Sequence, residues 1–273
     1  MAYFFVIGSA RSGGYLVYGI LCSDPYSNPV LTENHFVSDA ALAYSNSRNR
    51  LDREKGHFFT GARDAREFYS DWITSFLERI QSRYAPAKHL IIKSTGLSPY
   101  SPDLHEIMPD ARFIMSMRDP RDIVASMIEV GERQQRMWGN NQYGRDAGRL
   151  ASLVMKTYAP CLTCRDPGFN EKLYVVIYER LVTDPSSIIA KMETWAGLDL
   201  SGFDPSTTWP RTKRDFSREK EASPFITEPY GEAITSNLVG RFTDTLSGEE
   251  TATVERICAP IMQAFGYPPS EAA

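Results

Sequence analysis

The chain has 273 residues, of which 42% are hydrophobic, 12% aromatic and 23% charged, and its net charge is −4. Such a composition suits a globular protein with a sizeable core and excludes a disordered tail, a collagenous repeat and a small disulfide scaffold. The mild acidity argues against a nucleic-acid partner, and no window approaches the ~18 apolar residues of a membrane span.

Residues 1–7 are apolar but lack a basic leader and run straight into Gly8 and Arg11, so they read as a first strand, over 3–7, of a cytoplasmic protein. A glycine turn, Gly8-Ser9-Ala10-Arg11-Ser12-Gly13-Gly14, follows, and 15–21 resumes an apolar pattern that suits a helix. Residues 65–84 predict an amphipathic helix, with Phe68, Trp72 and Phe76 at four-residue spacing beside Ile73, Leu77 and Ile80. Further strands are expected over 89–92, ending at Lys93, over 112–117, ending at Arg118, and over 173–177, ending at Tyr178. Asp119-Pro120 and Asp184-Pro185 each start a helix, with Asp as N-cap and Pro at the first helical position, the second running through Trp195. The last helix spans 247–265, where Ser247 and Glu250 have capping-box spacing. Cys161 and Cys164 form a lone C-x-x-C without a second ligand pair, so they read as helix-surface or loop thiols rather than a metal site.

Short apolar strands alternating with helices predict an α/β fold of three layers, a central parallel sheet flanked by helices. Ligands of such folds bind beyond the C-terminal strand ends, so Arg11, Lys93, Arg118 and Tyr178 should converge on one sheet edge. Residues 201–235 read as a long surface loop of the kind that forms lids. No linker divides the chain, and residues 1–273 are expected to form one domain.

Two segments carry anion chemistry. A glycine turn feeding a helix offers backbone N–H groups and the positive helix end, and Arg11 adds a guanidinium fork. The nucleotide-triphosphatase loop would place Lys and Ser/Thr where Gly14 and Tyr15 stand. In Met117-Arg118-Asp119-Pro120-Arg121-Asp122-Ile123-Val124-Ala125-Ser126, a guanidinium at a strand end and a hydroxyl two helical turns on can grip one phosphate. Each segment alone also fits a ligand-free turn or a packing serine.

Together these residues resemble the sulfotransferases that use 3′-phosphoadenosine-5′-phosphosulfate (PAPS), in the branch with an Arg-Ser-Gly loop that includes tyrosylprotein sulfotransferases and many bacterial enzymes. Arg11-Ser12-Gly13 is similar to the 5′-phosphosulfate loop, and 110–114 through Arg118 and Ser126 to the 3′-phosphate motif. Tyr178-Glu179-Arg180-Leu181 resembles the segment whose tyrosine lies near the adenine, and Val239-Gly240-Arg241-Phe242 the segment that closes over the nucleotide. The resemblance covers residues 3–267 and implies a P-loop-like fold. It implies sulfuryl transfer from PAPS to a hydroxyl or amine of a small-molecule or peptide acceptor, leaving 3′,5′-adenosine bisphosphate (PAP), with no metal.

By the same resemblance, Arg11, Ser12, Gly13, Gly14, Tyr15, Arg118, Ser126, Tyr178, Ser223 and Arg241 contact the cofactor. Lys93 steadies the bridging oxygen as it leaves. Glu33, 22 residues after Arg11, falls where the branch carries its catalytic glutamate, and His35 is the alternative base because its ordinary pKa, near 6.5, suits that work. Burial of Glu33 would raise its pKa and make it a stronger base. The family loop continues Gly-Thr-Thr or Gly-Thr-Ser, whereas this chain continues Gly13-Gly14-Tyr15, and Phe242 replaces a usual Trp. Acceptor recognition is expected from 36–64, 131–148 and 201–235, which hold Arg48, Arg50, Arg53, Trp138 and Trp209. A small-molecule kinase and a non-catalytic nucleotide-binding protein on the same fold are the competing readings, and the oligomeric state is not legible.

Overall fold

The structure is a computed structural model that describes residues 2–270 apart from 55, 56, 208, 210, 211, 213, 228 and 229. Met1 of the first apolar run, residues 271–273 and the eight just named, which fall in the stretches 36–64 and 201–235, therefore lie outside the described residues.

Four strands form one parallel sheet: β1 (Ala2–Gly8), β2 (His89–Lys93), β3 (Arg112–Met117) and β4 (Leu173–Ile177), in the order β2-β1-β3-β4. Successive β1 side chains face opposite layers, because the strand period is two. Phe5 and Ile7 join Leu90, Ile92, Phe113 and Met115 in one core, and Phe4 and Val6 join Ile91, Ile114 and Val176 in the other. A sheet buried on both faces explains why these strands read as continuous apolar runs.

The helices are α1 (Gly14–Leu21), α2 (Phe36–Arg48), α3 (Leu51–Glu54), α4 (Ala62–Gln81), α5 (Ser101–Ile107), α6 (Pro120–Trp138) and α7 (Ala147–Thr163). They continue as α8 (Pro167–Lys172), α9 (Tyr178–Thr183), α10 (Pro185–Ala196), α11 (Phe216–Ala222), α12 (Phe242–Thr245) and α13 (Gly248–Phe265). Among the described residues, no helix is long and apolar enough to cross a membrane. The expected caps are present. The Asp119 side chain accepts from Arg121 N, Asp184 from Ser187 N, and Ser247 with Glu250 closes the capping box of α13.

Three local expectations are corrected. The buried face of α4 is Ala65, Tyr69, Ile73 and Leu77, while Phe68 and Trp72 are exposed. Aromatic residues at four-residue spacing thus mark a second stripe of the helix, on which Phe36 packs tilted against Phe76 and edge-on to Trp72. Cys161 is buried in α7 with its thiol against the Ser98 carbonyl, so it is a core residue and not a surface thiol. Residues 201–235, expected as a long surface loop, include the short helix α11.

Candidate active site

The C-terminal strand ends gather the four groups expected there. Lys93 closes β2, the glycine turn carrying Arg11 follows β1, Arg118 follows β3 and Tyr178 opens α9 after β4. Arg118 donates through Nη1 to the Arg11 carbonyl at 3.3 Å, and both side chains line the same two small cavities.

The turn is held by buried hydroxyls. Ser98 accepts from Gly8 N at 2.7 Å and donates back to Gly8 O, Ser12 donates to Ser9 O at 2.7 Å, and Ser116 donates to the Ser12 carbonyl. Gly13 has φ +88° and packs so closely on Tyr178 that an added Cβ would lie 2.4 Å from the ring. Only glycine fits there. Arg11 itself sits at φ 70°, a strained conformation for a residue with a side chain. The Gly14 and Tyr15 amides that open α1 have no carbonyl four residues back within the helix, and they form the positive end of its dipole.

Next to the turn, Arg118 is 7% exposed, reaches Asp122 at 3.3 Å and the Leu238 carbonyl, and lies over the Tyr178 ring at 4.8 Å. Its Nε is buried without a hydrogen-bond partner. Ser126 accepts from Arg11 Nε at 3.0 Å, and Arg133 and Arg241 line the same cavity. Asp122 accepts from Gly240 N at 2.8 Å and Phe242 N at 2.9 Å, which pins the 239–242 segment onto α6. Arg241 is half exposed and faces Asp244.

A larger cavity of about 530 Å³ opens on the other side of Tyr15, lined by Ser9, Arg11, Gly13, Gly14, Tyr15, Glu33, His35, Lys93, Tyr143, Arg214, Ser223, Phe225 and Tyr230. Lys93, with its side chain 5% exposed, donates to Glu33 Oε2 at 2.8 Å. The Thr95 amide donates to Glu33 Oε1 at 2.6 Å, and the Thr95 hydroxyl donates to the same oxygen. Burial pushes the Glu33 carboxyl up, but the Lys93 charge and the bonds from Lys93 and Thr95 outweigh it, so its pKa is lowered. The expectation that burial would raise it is therefore corrected: the carboxyl is buried, but its pairing with Lys93 and Thr95 outweighs the loss of water. His35 lines the cavity from the N-cap position of α2, is exposed, and makes no side-chain cap bond.

Tyr15 stands between the cavities, with the Lys93 ammonium 4.4 Å and the Arg214 guanidinium 5.0 Å from its ring centre. Burial drives its hydroxyl pKa up, so it is a neutral phenol. Arg11 is held by the 225–230 segment: Nη1 donates to Phe225 O at 2.9 Å and Tyr230 Oη at 3.1 Å, and Nη2 to Thr227 Oγ1 at 3.0 Å.

All the expected site residues thus gather around these three cavities apart from Ser12, whose side chain is buried beneath the turn. Of the five expected acceptor residues, Trp209 alone does. Arg48 is drawn to Asp103 and Glu106, and Arg50 and Arg53 are exposed. Trp209 is buried, donates to Glu232 O, and lines the cavity beside Tyr178. Trp138 packs on Phe225, and from the same stretch it is Gln142 and Tyr143 that reach the large cavity. Sequence reasoning missed Thr95, Arg133, Arg214 and Tyr230. Arg133 follows Ser126 by two helical turns on one face, a spacing that identifies it; the others carried no local signal.

Residues 4–202 match the profile described as the sulfotransferase family. A Caenorhabditis elegans protein named as a protein-tyrosine sulfotransferase is 26% identical over 137 residues, covering half of this chain and half of that one. The sulfotransferase domain of the Synechococcus olefin synthase superposes with a TM-score of 0.57 at 18% identity, covering 98% of this chain and 94% of that one. The sulfotransferase domain of the curacin biosynthetic pathway gives 0.58 at 16% identity, with 95% and 97% covered. These superpositions identify the fold.

Proposed function

Since the chain belongs to the sulfotransferase family, we propose that it moves a sulfuryl group from PAPS to an acceptor hydroxyl or amine. The observation that carries this reading is the pairing of two anion sites at one sheet edge, with the buried, unpartnered Nε of Arg118 in one and Lys93 with Glu33 beside the other. A doubly phosphorylated adenylate needs two such sites. Arg118, Ser126, Arg133 and Arg241 take the 3′-phosphate, the Tyr178 ring takes the adenine, and the amides opening α1 take the 5′ end.

The acceptor oxygen attacks sulfur, the bond from sulfur to the bridging oxygen breaks, and the acceptor proton passes to Glu33. Lys93 neutralises the leaving oxygen. In the structure Lys93 is bonded to Glu33, which weakens Glu33 as a base. As Lys93 turns to the bridging oxygen, Glu33 loses the partner that lowers its pKa and gains basicity when the proton arrives. His35, exposed and unfixed, is the lesser candidate. The chain is read as a single sulfotransferase domain acting without a metal in the cytoplasm.

The test is transfer of labelled sulfate from PAPS to a mixed panel of phenols, alcohols, amines and tyrosyl peptides. Label in a product and release of PAP are expected. Turnover of ATP in place of PAPS, or PAP binding with no transfer to any acceptor, contradicts the reading.

A further inference from the structure

Arg214 belongs to none of the motifs, yet its side chain lines the large cavity, and it lines neither of the two small ones. Its side chain is 10% exposed. Glu219 takes Nε at 3.1 Å and also Nη2, a side-on pair that fixes one edge of the guanidinium. The rings of Tyr15 and Phe216 lie 5.0 and 4.9 Å from its central carbon. The remaining nitrogen, Nη1, is buried and makes no hydrogen bond of sound geometry, although the Tyr15 hydroxyl interacts with the guanidinium.

An orphaned donor on a buried cation is costly, and a fixed guanidinium that keeps one edge unsatisfied is arranged for an oxygen that arrives with a ligand. Its position separates two possible ligands. The 5′ end of the donor is met by Lys93 and the α1 amides, whereas Arg214 enters the cavity from the 201–235 stretch, as do Ser223, Phe225 and Tyr230. Lys93 lies over the same Tyr15 ring, so the orphan edge is close to the reacting groups.

We propose that Arg214 binds an anionic oxygen of the acceptor, so that the acceptor carries a carboxylate or comparable oxyanion near the group that is sulfated. The proposal rests on the proposed sulfuryl transfer, with Glu33 and Lys93 in the large cavity as the groups the acceptor must reach. Tyr15 takes part by flanking the guanidinium, so the replacement of the usual hydroxyl residue by a phenol serves acceptor recognition in this chain.

The experiment is calorimetric titration of the PAP-saturated protein with two probes of one shape, 4-hydroxyphenylacetate and 4-hydroxyphenylacetamide. The acid is expected to bind about tenfold or more tighter than the amide. Arg214→Gln should abolish that preference and leave PAP affinity unchanged, Arg214→Lys should retain part of it, and Glu219→Gln should reduce it. Equal binding of the two probes by the wild type, binding of neither, or a preference that survives Arg214→Gln overturns the proposal. Loss of PAPS affinity in Arg214→Gln with PAP affinity intact assigns Arg214 to the donor sulfuryl and also overturns it. Failure of the wild type to bind PAP sinks the parent reading instead, so the two failures are told apart.

Discussion

Replacing Lys93 by Met removes the charge and keeps most of the volume, which separates its chemistry from its packing. The 5%-exposed ammonium is bonded to Glu33, whose side chain is 21% exposed. Breaking a buried ion pair costs about 3–5 kcal/mol, but Glu33 keeps two bonds from Thr95 and some water, so about 2 kcal/mol is expected. For a chain of this size that lowers Tm by roughly 4–8 °C. The pH dependence has a definite sign. The Glu33 pKa is lowered in the fold, so its pairing stabilises the protein above the unfolded carboxyl pKa, about 4.3, and the contribution fades as pH falls through the lower folded value. The Tm gap between wild type and Lys93→Met is therefore widest near neutral pH and narrows below about pH 4. For turnover, loss of one cation aimed at developing charge costs about 100- to 1000-fold. The released Glu33 becomes a better base, which offsets part of this, so the lower end is expected. Melting scans across pH and sulfate transfer with saturating PAPS check both. Turnover within about threefold of wild type, together with the predicted Tm loss, would refute the leaving-group role and leave Lys93 a structural residue.

Gly13→Ala forces a methyl to 2.4 Å from Tyr178 at φ +88° and should cost about 2 kcal/mol and weaken PAP binding, whereas Gly14→Ala meets only Lys93 Cε at 3.4 Å and should change the melting temperature little. Asp122→Ala orphans the Gly240 and Phe242 amides and one edge of Arg118, so protease cleavage after Arg241 should accelerate and stability fall by about 3 kcal/mol, read from denaturant unfolding. Ser126→Ala should weaken PAP about tenfold, while 5′-AMP, which lacks the 3′-phosphate, is unaffected in the same calorimetric titration.

Local chemistry was what the sequence displayed. Strands 112–117 and 173–177 are legible to the residue as continuous apolar runs, the first buried on both faces and the second partly buried at the sheet edge, and three helix starts are legible from caps that act within four residues. Helix α7 was not read, since its start rests on Asp146 alone and Pro160 interrupts its pattern. The strand-end rule placed Arg11, Lys93, Arg118 and Tyr178 on one edge because parallel topology forces it. What escaped was set by contacts far apart in the chain. Lys93 and Thr95, 60 and 62 positions away, together hold the Glu33 carboxyl down, and the Arg11 fork is occupied by residues more than 200 positions on. Arg214 looked like one more loop arginine, and only its pairing with Glu219 and its place under Tyr15 distinguish it.

The account stands on a nucleotide gripped at both its 3′ and 5′ ends, and calorimetry with PAP and 5′-AMP on the wild type and on Arg118→Ala measures that directly. PAP should bind at least about 100-fold tighter than 5′-AMP to the wild type, and Arg118→Ala should erase most of the difference. Equal affinity for the two nucleotides, or a preference for PAP that persists without the Arg118 side chain, would contradict it.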